Sequence, residues 1–253
     1  MCHCPLVFLL DDKTLLDEEG IQQDVASELE RAFGETSRDR YSRILQDLFV
    51  ERGYRDYIGA LQRCRIERAP EAELLSLSTF LIEYPFCDRV FPDAHDVVKR
   101  LGKLAPTVIL SEGDVVFQAR KLERSGLWDA AEGRVLVHAR REMLLNDVEQ
   151  RYPAEHYVLI DDQLYVLKVV KKTWGKRVTT VSTRQGRNAG ELDAPRTFPP
   201  ADVTITGIGD LLGDLPRLWT VPHPIPRVKT RKRVVLAPDA ITGGSRVGLT
   251  TGA

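Results

Sequence analysis

The chain has 253 residues, of which 43% are hydrophobic and 29% charged, so it is long enough for one large α/β domain or a core domain with a small insert. Its formal net charge of −1 gives no general reason to expect binding to nucleic acid or to an anionic membrane. No apolar run approaches the ~18 residues of a membrane span, and the first residues lack the basic leader and cleavage-like site of a signal peptide.

The four cysteines do not have the spacing of a disulfide framework; they are Cys2, Cys4, Cys64 and Cys87. This usage is typical of the reducing cytoplasm, which is the location that we expect. Cys2, His3 and Cys4 could form half of a metal site, but no second Cys/His pair follows at a suitable spacing. We therefore expect no metal there.

The first predicted element is the apolar run Pro5 to Leu10, which ends at acidic residues and has the pattern of a buried parallel strand. From Ile21 to about Leu81 the apolar residues recur at helical spacing, in four stretches separated by Gly34, Gly53 and Ala69-Pro70. The sequence thus predicts a helical insert between the first strand and the second.

Strand patterns then alternate with helical ones. The predicted strands are Thr107 to Leu110, Arg134 to His138, Tyr157 to Ile160, Val178 to Val181 and Val203 to Ile205. The predicted helices are His95 to Leu104, Val115 to Ser125, Arg141 to Tyr152 and Leu164 to Trp174. This alternation predicts an α/β fold with a parallel sheet and right-handed crossovers, whose chemistry lies at the carboxyl ends of the strands.

Beyond about Leu212 the periodicity disappears, and five prolines accompany a basic cluster: Arg227, Lys229, Arg231, Lys232 and Arg233. The composition predicts a flexible Pro/Gly-rich tail. The basic cluster could contact nucleic acid, but a solvated tail is the simpler interpretation, and we expect neither a nucleic acid nor a membrane as partner.

Polar residues end three of the predicted strands. Asp11 and Asp12 follow the first strand, Ser111 follows the second, and Asp161 and Asp162 follow the strand at 157–160. Because parallel strands gather their carboxyl ends at one edge, these segments should converge on one site. Carboxylates that converge repel one another unless a cation is present, and oxygen ligands without His or Cys favour Mg²⁺.

Three segments, VFLLDDKTLLD, TVILSEGD and YVLIDD, resemble the first, second and fourth motifs of the haloacid dehalogenase superfamily. The resemblance covers about residues 5–212. It implies a Rossmann-like parallel-sheet core, formed by residues 1–19 and 86–213, with a C1-type helical cap at 20–85 inserted after the first strand. Residues 214–253 form the basic tail.

The resemblance also implies a phosphoaspartate mechanism: one Asp attacks phosphorus, a second acts as acid/base, and a basic residue and Mg²⁺ offset the charge. The residues that it points to are Asp11, Asp12, Arg141 and Lys121 for catalysis, Thr14 and Ser111 for substrate binding, and Asp11, Asp161 and Asp162 for the metal. The basic residue of the third motif has two candidates, Arg141 (or Arg140) after the strand at 134–138, and Lys121 in the helix after the second motif.

The first motif departs from the family pattern Asp-x-Asp-x-Thr by one residue. Aligned from the strand, Asp11 is the nucleophile and Asp12 comes one position too soon; aligned from Thr14, Asp12 is the acid/base and Leu10 takes the nucleophile's place. Neighbouring side chains on extended backbone point in opposite directions, so Asp11 and Asp12 cannot both face a substrate unless the loop repacks. We predict Asp11 as the nucleophile, because the strand fixes its position.

The sequence therefore predicts a Mg²⁺-dependent phosphatase that acts on a small phosphorylated metabolite. A dehalogenase is possible within the superfamily but needs no metal, and the acids at 161–162 argue for one. The alternative is a catalytically impaired relative that binds a ligand or partner, which the irregular first motif supports. The sequence gives no indication of the substrate's identity or of the oligomeric state.

Overall fold

A six-stranded parallel sheet forms the centre of the computed structural model, which describes residues 4–67, 69–138, 141–185 and 199–213. The strands are β1 (Cys4–Asp11), β2 (Thr107–Glu112), β3 (Val135–His138), β4 (Ala154–Asp161), β5 (Val178–Thr183) and β6 (Val203–Ile205). Their order in the sheet is β3-β2-β1-β4-β5-β6, and each neighbouring pair is parallel. Strand order reverses beside β1, which lies between β2 and β4, and such a reversal opens a crevice at the carboxyl edge.

Both faces of β1 are buried, which explains its continuous apolar sequence. Phe8 and Leu10 pack into an apolar cluster on one face with α5 (Ala94–Gly102), α6 (Val115–Arg124) and α7 (Leu127–Ala130). On the other face, the cluster around Val7 and Leu9 includes residues of α8 (Arg141–Arg151) and α9 (Leu164–Trp174). The sheet is thus the middle layer between two layers of helices, as an α/β fold requires.

The first four of the helices between β1 and β2 precede α5: α1 (Glu18–Phe33), α2 (Glu35–Arg52), α3 (Tyr57–Ile66) and α4 (Glu71–Glu83). We call them the helical insert. Gly53 ends α2 in the left-handed conformation, which glycine adopts without strain. Asp17 and Asp56 accept amide hydrogens at the starts of α1 and α3 and thereby fix where these helices begin.

The insert has its own apolar cluster, which extends to the helices around the sheet. Phe117 of α6 is fully buried in this cluster; its ring stacks on Tyr57 at a centroid distance of 4.3 Å and meets the edge of Phe86 at 5.5 Å. Where the insert leaves and rejoins the sheet, Leu16 and Val90 form an isolated antiparallel bridge. The described residues of the insert and the sheet form one compact unit.

The predicted strands and helices are confirmed, including the helices between the first two strands. The short helix α7 and the 3-10 turns within the described ranges were not predicted, because each is too brief to show a period. The division into a core and a cap at residues 20–85 stays a prediction. The basic cluster at 227–233 lies outside the described residues. None of the helices that the structure describes combines the length and the apolar composition that a membrane span requires.

Candidate active site

The polar residues at the strand ends lie together at the carboxyl edge, as the sequence predicts. Asp11 ends β1, Ser111 lies near the end of β2, and Asp161 ends β4. The register of the sheet places Asp11 opposite Leu110, one residue before Ser111, and Leu10 opposite Ile160. Three segments distant in sequence therefore meet beside the central strand.

Asp12 is the carboxylate that Ser111 and Lys121 hold. Its Oδ2 lies 2.8 Å from the Lys121 Nζ and accepts a hydrogen bond from the Ser111 hydroxyl, and both Asp12 and Lys121 have 1% of their side chains exposed. Gln118, one turn before Lys121 on α6, has its Oε1 3.0 Å from the Ser111 Oγ. The other oxygen of Asp12, Oδ1, is buried and has no hydrogen-bond partner among the described residues.

Charge keeps both Asp12 and Lys121 ionised. Burial raises the pKa of Asp12, but the positive charges of Lys121 and Lys13, together with the hydrogen bonds from Lys121 and Ser111, outweigh burial and bring this pKa below its ordinary value. Burial lowers the pKa of Lys121, yet the carboxylates of Asp12 and Glu18 raise it well above the usual lysine value. The site therefore holds a buried carboxylate and a buried ammonium ion in contact.

The sequence did not point to Glu18, which joins the helical insert to this pair. Glu18 is the first residue of α1, and its Oε2 lies 3.0 Å from the Lys121 Nζ. Its Oε1 accepts a hydrogen bond of 3.0 Å from the Tyr57 hydroxyl at the start of α3. The sequence held an indication for its partner Lys121 only. Gln118 and Lys121, three residues apart, interrupt the buried stripe of α6 with polar groups.

Asp11, predicted as the nucleophile, lies differently from Asp12. Its Oδ1 accepts the backbone amide of Lys13 at 2.9 Å, and its carbonyl accepts the Thr14 hydroxyl at 2.7 Å. These bonds cap the 3-10 turn that follows β1, and this turn carries Asp12 to the side of Ser111. The Thr14 carbonyl in turn accepts the side-chain amide of Gln185 at 2.5 Å.

The alternative alignment leaves Leu10 in the nucleophile's place. Leu10 is fully buried in the apolar cluster with Leu15, Ile109 and Ile160. An aliphatic side chain in such a cluster can only pack, so no chemistry can start from this position.

The carboxylates do not gather into a metal site in this arrangement. No group of three or more His, Cys, Asp or Glu side chains within the described residues is arranged to hold a metal ion. Asp161 is buried, and its Oδ1 accepts the amide of Gln163 at 2.7 Å; Asp162 is half-buried beyond the end of β4. The expected ligands Asp11, Asp161 and Asp162 thus do not form a preassembled cluster in the described part of the chain, and both this ligand set and the magnesium requirement stay predictions.

Of the two candidates for the basic residue of the third motif, Lys121 reaches Asp12. Lys121 is not a surface residue of its helix, because its ammonium group is buried between two carboxylates. Arg141 begins α8, and the position of its side chain lies outside what the structure describes, as does Arg140.

Comparison with solved structures identifies the family. The chain is 49% identical to a haloacid dehalogenase-like hydrolase from Burkholderia xenovorans LB400, over 84% of this chain and 99% of that chain, with a TM-score of 0.78. The parallel sheet, the helices after β1 and the carboxylates at the strand ends therefore define a haloacid dehalogenase-like hydrolase. The chain belongs to that family.

More distant structures share the fold. A hydrolase of this class from Bacillus subtilis, solved with bound magnesium, is 16% identical, covers 83% of this chain and 97% of its own, and has a TM-score of 0.55. The L-2-haloacid dehalogenase from Xanthobacter autotrophicus is 18% identical, covers 84% and 97%, and has a TM-score of 0.51. Neither a protein-family model nor a curated protein matches the chain.

Proposed function

We propose that this hydrolase acts on a small phosphorylated molecule and that Asp12, rather than Asp11, is its nucleophile. The observation that carries the proposal is the state of the Asp12 carboxylate: Lys121 and Ser111 hold Oδ2, while Oδ1 has no hydrogen-bond partner in the described part of the chain. A nucleophilic carboxylate needs this arrangement, in which one oxygen is fixed and charged neighbours keep the group ionised.

In the proposed reaction, the Asp12 Oδ1 attacks the phosphorus of the ester. A bond from Oδ1 to phosphorus forms, the bond from phosphorus to the ester oxygen breaks, and the leaving oxygen takes a proton from solvent to give the alcohol. Lys121 offsets the negative charge that develops on the phosphoryl oxygens, and the Ser111 hydroxyl keeps Asp12 Oδ2 in place. Water then cleaves the acyl-phosphate and restores Asp12. No step of this scheme is assigned to a metal.

Substrate must reach a group that is closed off in this structure. Asp12 is 1% exposed, and Glu18 and Tyr57 of the helical insert lie over Lys121. We infer that the insert moves away from α6 to admit the substrate and returns to exclude water from the acyl-phosphate.

The test compares two neighbouring carboxylates. Purified protein is assayed with p-nitrophenyl phosphate and a panel of sugar and organic-acid phosphates, with and without added Mg²⁺. We expect Asp12→Asn to lower kcat by roughly 1,000-fold or more, as loss of a nucleophile does. We expect Asp11→Asn, which removes the same charge one residue away, to lower it far less. The opposite ranking would make Asp11 the nucleophile, and both variants need thermal melts that show a retained fold.

A catalytically impaired protein that binds a ligand is the second candidate. Two observations favour it: Leu10 is buried where the second alignment needs the nucleophile, and Thr14 occupies the position two residues after Asp12 where the family has an acid/base. Folded wild-type protein that turns over no phosphate ester, with or without Mg²⁺, would establish this candidate. Chloride release from 2-chloropropionate is measured in parallel, because an aspartate ester can also form by displacement of a halide.

A further inference from the structure

Glu18 is the second carboxylate of the Asp12 site, and the reaction scheme above gives it no role. Its two oxygens are held separately, Oε2 by the Lys121 ammonium and Oε1 by the Tyr57 hydroxyl, each at 3.0 Å. The side chain of Glu18 is 13% exposed, whereas that of Lys121 is 1% exposed. Of the residues in this chain of ion pairs, Glu18 is therefore the one nearer to solvent.

Hydrolysis of an acyl-phosphate at Asp12 needs a base that takes a proton from water, and the neighbouring groups are poor bases. The carboxylates beside Lys121 raise its pKa well above the usual value, so it stays protonated. Burial raises the pKa of Tyr57 well above its ordinary value, and the negative charge of Glu18 adds to this effect, so the phenol keeps its proton. The Thr14 hydroxyl donates to a backbone carbonyl and is fully buried.

Of the carboxylates near Asp12, Asp11 caps the turn after β1 and Asp161 accepts the Gln163 amide. Glu18 and Glu112 are the two further candidates for the base. Glu112 follows Ser111 on β2, and its Oε2 lies 4.0 Å from the Lys13 Nζ. Glu18 instead shares its cation with Asp12, because the Lys121 Nζ is 2.8 Å from one carboxylate and 3.0 Å from the other. A group that contacts Lys121 from the solvent side is better placed to orient a water molecule toward Asp12.

We propose that Glu18 is the general base in the hydrolysis of the acyl-phosphate. It replaces the second aspartate of the family's first motif, because this chain has Thr14 two residues after Asp12. The proposal rests on the proposed function. The water oxygen forms a bond to phosphorus as the bond from phosphorus to Asp12 Oδ1 breaks. Glu18 takes the proton from that water and releases it to solvent as inorganic phosphate leaves.

The donors on Glu18 suit this role. The Tyr57 hydroxyl and the Lys121 ammonium keep the carboxylate oriented, as the third member of a catalytic triad orients its base. Lys121 also lies between the base and the acyl-phosphate, where its charge opposes the negative charge that gathers in the transition state. Because Glu18 belongs to α1, the base is in place only when the helical insert is closed over α6.

The experiment separates the two half-reactions. Full-length wild-type protein and Glu18→Gln are mixed rapidly with p-nitrophenyl phosphate, whose leaving group needs no proton. For Glu18→Gln we expect a first-turnover burst of p-nitrophenol at the wild-type rate and a steady-state rate roughly 100-fold or more below wild type, the usual contribution of a general base. Mass spectrometry of the quenched variant should find one phosphoryl group on Asp12.

Three variants complete the design. Glu19→Gln, at the exposed neighbouring position, should leave both phases unchanged. Glu112→Gln tests the other candidate for the base and should keep the wild-type steady-state rate, since Glu18 is still present. Glu18→Ala should lose the steady-state rate and recover part of it in sodium formate, which supplies a carboxylate that diffuses into the vacated space.

The possible results distinguish a failure of the role of Glu18 from a failure of the proposed function. A Glu18→Gln variant that keeps the wild-type steady-state rate would overturn the role of Glu18 alone, as would a burst with slow turnover in Glu112→Gln. Loss of both the burst and the steady state in a folded Glu18→Gln variant would also overturn it, since the first half-reaction does not need the base. A phosphoryl group on another residue, or no covalent intermediate in any variant, would overturn the proposed function and this inference with it.

Discussion

Replacement of Lys121 by Met should destabilise the fold strongly, because Lys121 is the buried cation between two carboxylates. Its ammonium lies 2.8 Å from Asp12 and 3.0 Å from Glu18, and its side chain is 1% exposed. Methionine has a similar length and fits an apolar environment, so the substitution removes the charge with little change in volume. It leaves the Asp12 carboxylate buried without its counter-ion.

The size of the expected destabilisation follows from the charge that is left when one partner of a buried ion pair is removed. Removal of one partner of a buried pair costs about 3–5 kcal/mol, because the remaining charge is not compensated. For a domain of this size, each kcal/mol lowers the Tm by about 2–4 °C, so we expect a loss of about 6–20 °C. The double variant Asp12→Asn with Lys121→Met should recover part of the loss, since it removes the stranded charge as well.

The loss should also depend on pH. In the wild type the pKa of Asp12 is below its ordinary value, so the stability from its ionised form is present above the unfolded-state pKa and is lost as the pH falls through the folded-state pKa. Without Lys121 the carboxylate is buried and unpaired, which raises its pKa and favours the protonated form at low pH. The stability gap between wild type and Lys121→Met should therefore narrow as the pH falls from neutral.

Urea denaturation, followed by circular dichroism at several pH values, measures these differences. Lys99→Met, on the exposed face of α5, is the matched control and should be close to wild type. A Lys121→Met variant as stable as Lys99→Met at neutral pH would refute the reasoning, because it would mean that water reaches the Asp12 carboxylate. A gap that does not change with pH would refute the assignment of the cost to Asp12.

Two further predictions concern packing and thiol chemistry. Phe117→Ala should cost about 3–5 kcal/mol in chemical denaturation, since its ring is fully buried in the apolar cluster of the insert. Val115→Ala, at a position 70% exposed on the same helix, should change stability little. Iodoacetamide should alkylate the exposed Cys87 before Cys64, because Cys64 is buried and burial raises its pKa to about 11. Peptide mass spectrometry would show the order of alkylation, and equal rates for the two cysteines at neutral pH would contradict this prediction.

The strands and most helices could be predicted from the sequence, because their patterns are local. A fully buried parallel strand such as β1 needs a continuous apolar run, and the helices of the insert need apolar residues three or four apart. The convergence of Asp11, Ser111 and Asp161 also followed from the sequence, since parallel strands place their carboxyl ends at one edge.

The choice between Asp11 and Asp12 could not be made in this way. The two residues are adjacent, and only the 3-10 turn that begins at Asp12 decides which carboxylate reaches Ser111. The composition of the segment does not fix that turn, because it depends on backbone bonds to the Asp11 carboxylate and on Gln185, which is 171 residues from Thr14. The predicted nucleophile was therefore chosen by strand position alone.

The sequence by itself determined that this chain forms a parallel α/β sheet with a helical insert and gathers acidic residues at one sheet edge, because apolar periodicity and strand order carry that information. The tertiary structure alone decided that Glu18 belongs to the site and that Lys121, a candidate from the sequence, is the cation between Asp12 and Glu18. Lys121 is more than 100 residues from both Asp12 and Glu18, and whether its ammonium is buried or solvated depends on how α6 packs against the insert. A buried charge is stable only beside its counter-ions, and that proximity exists only in the folded chain.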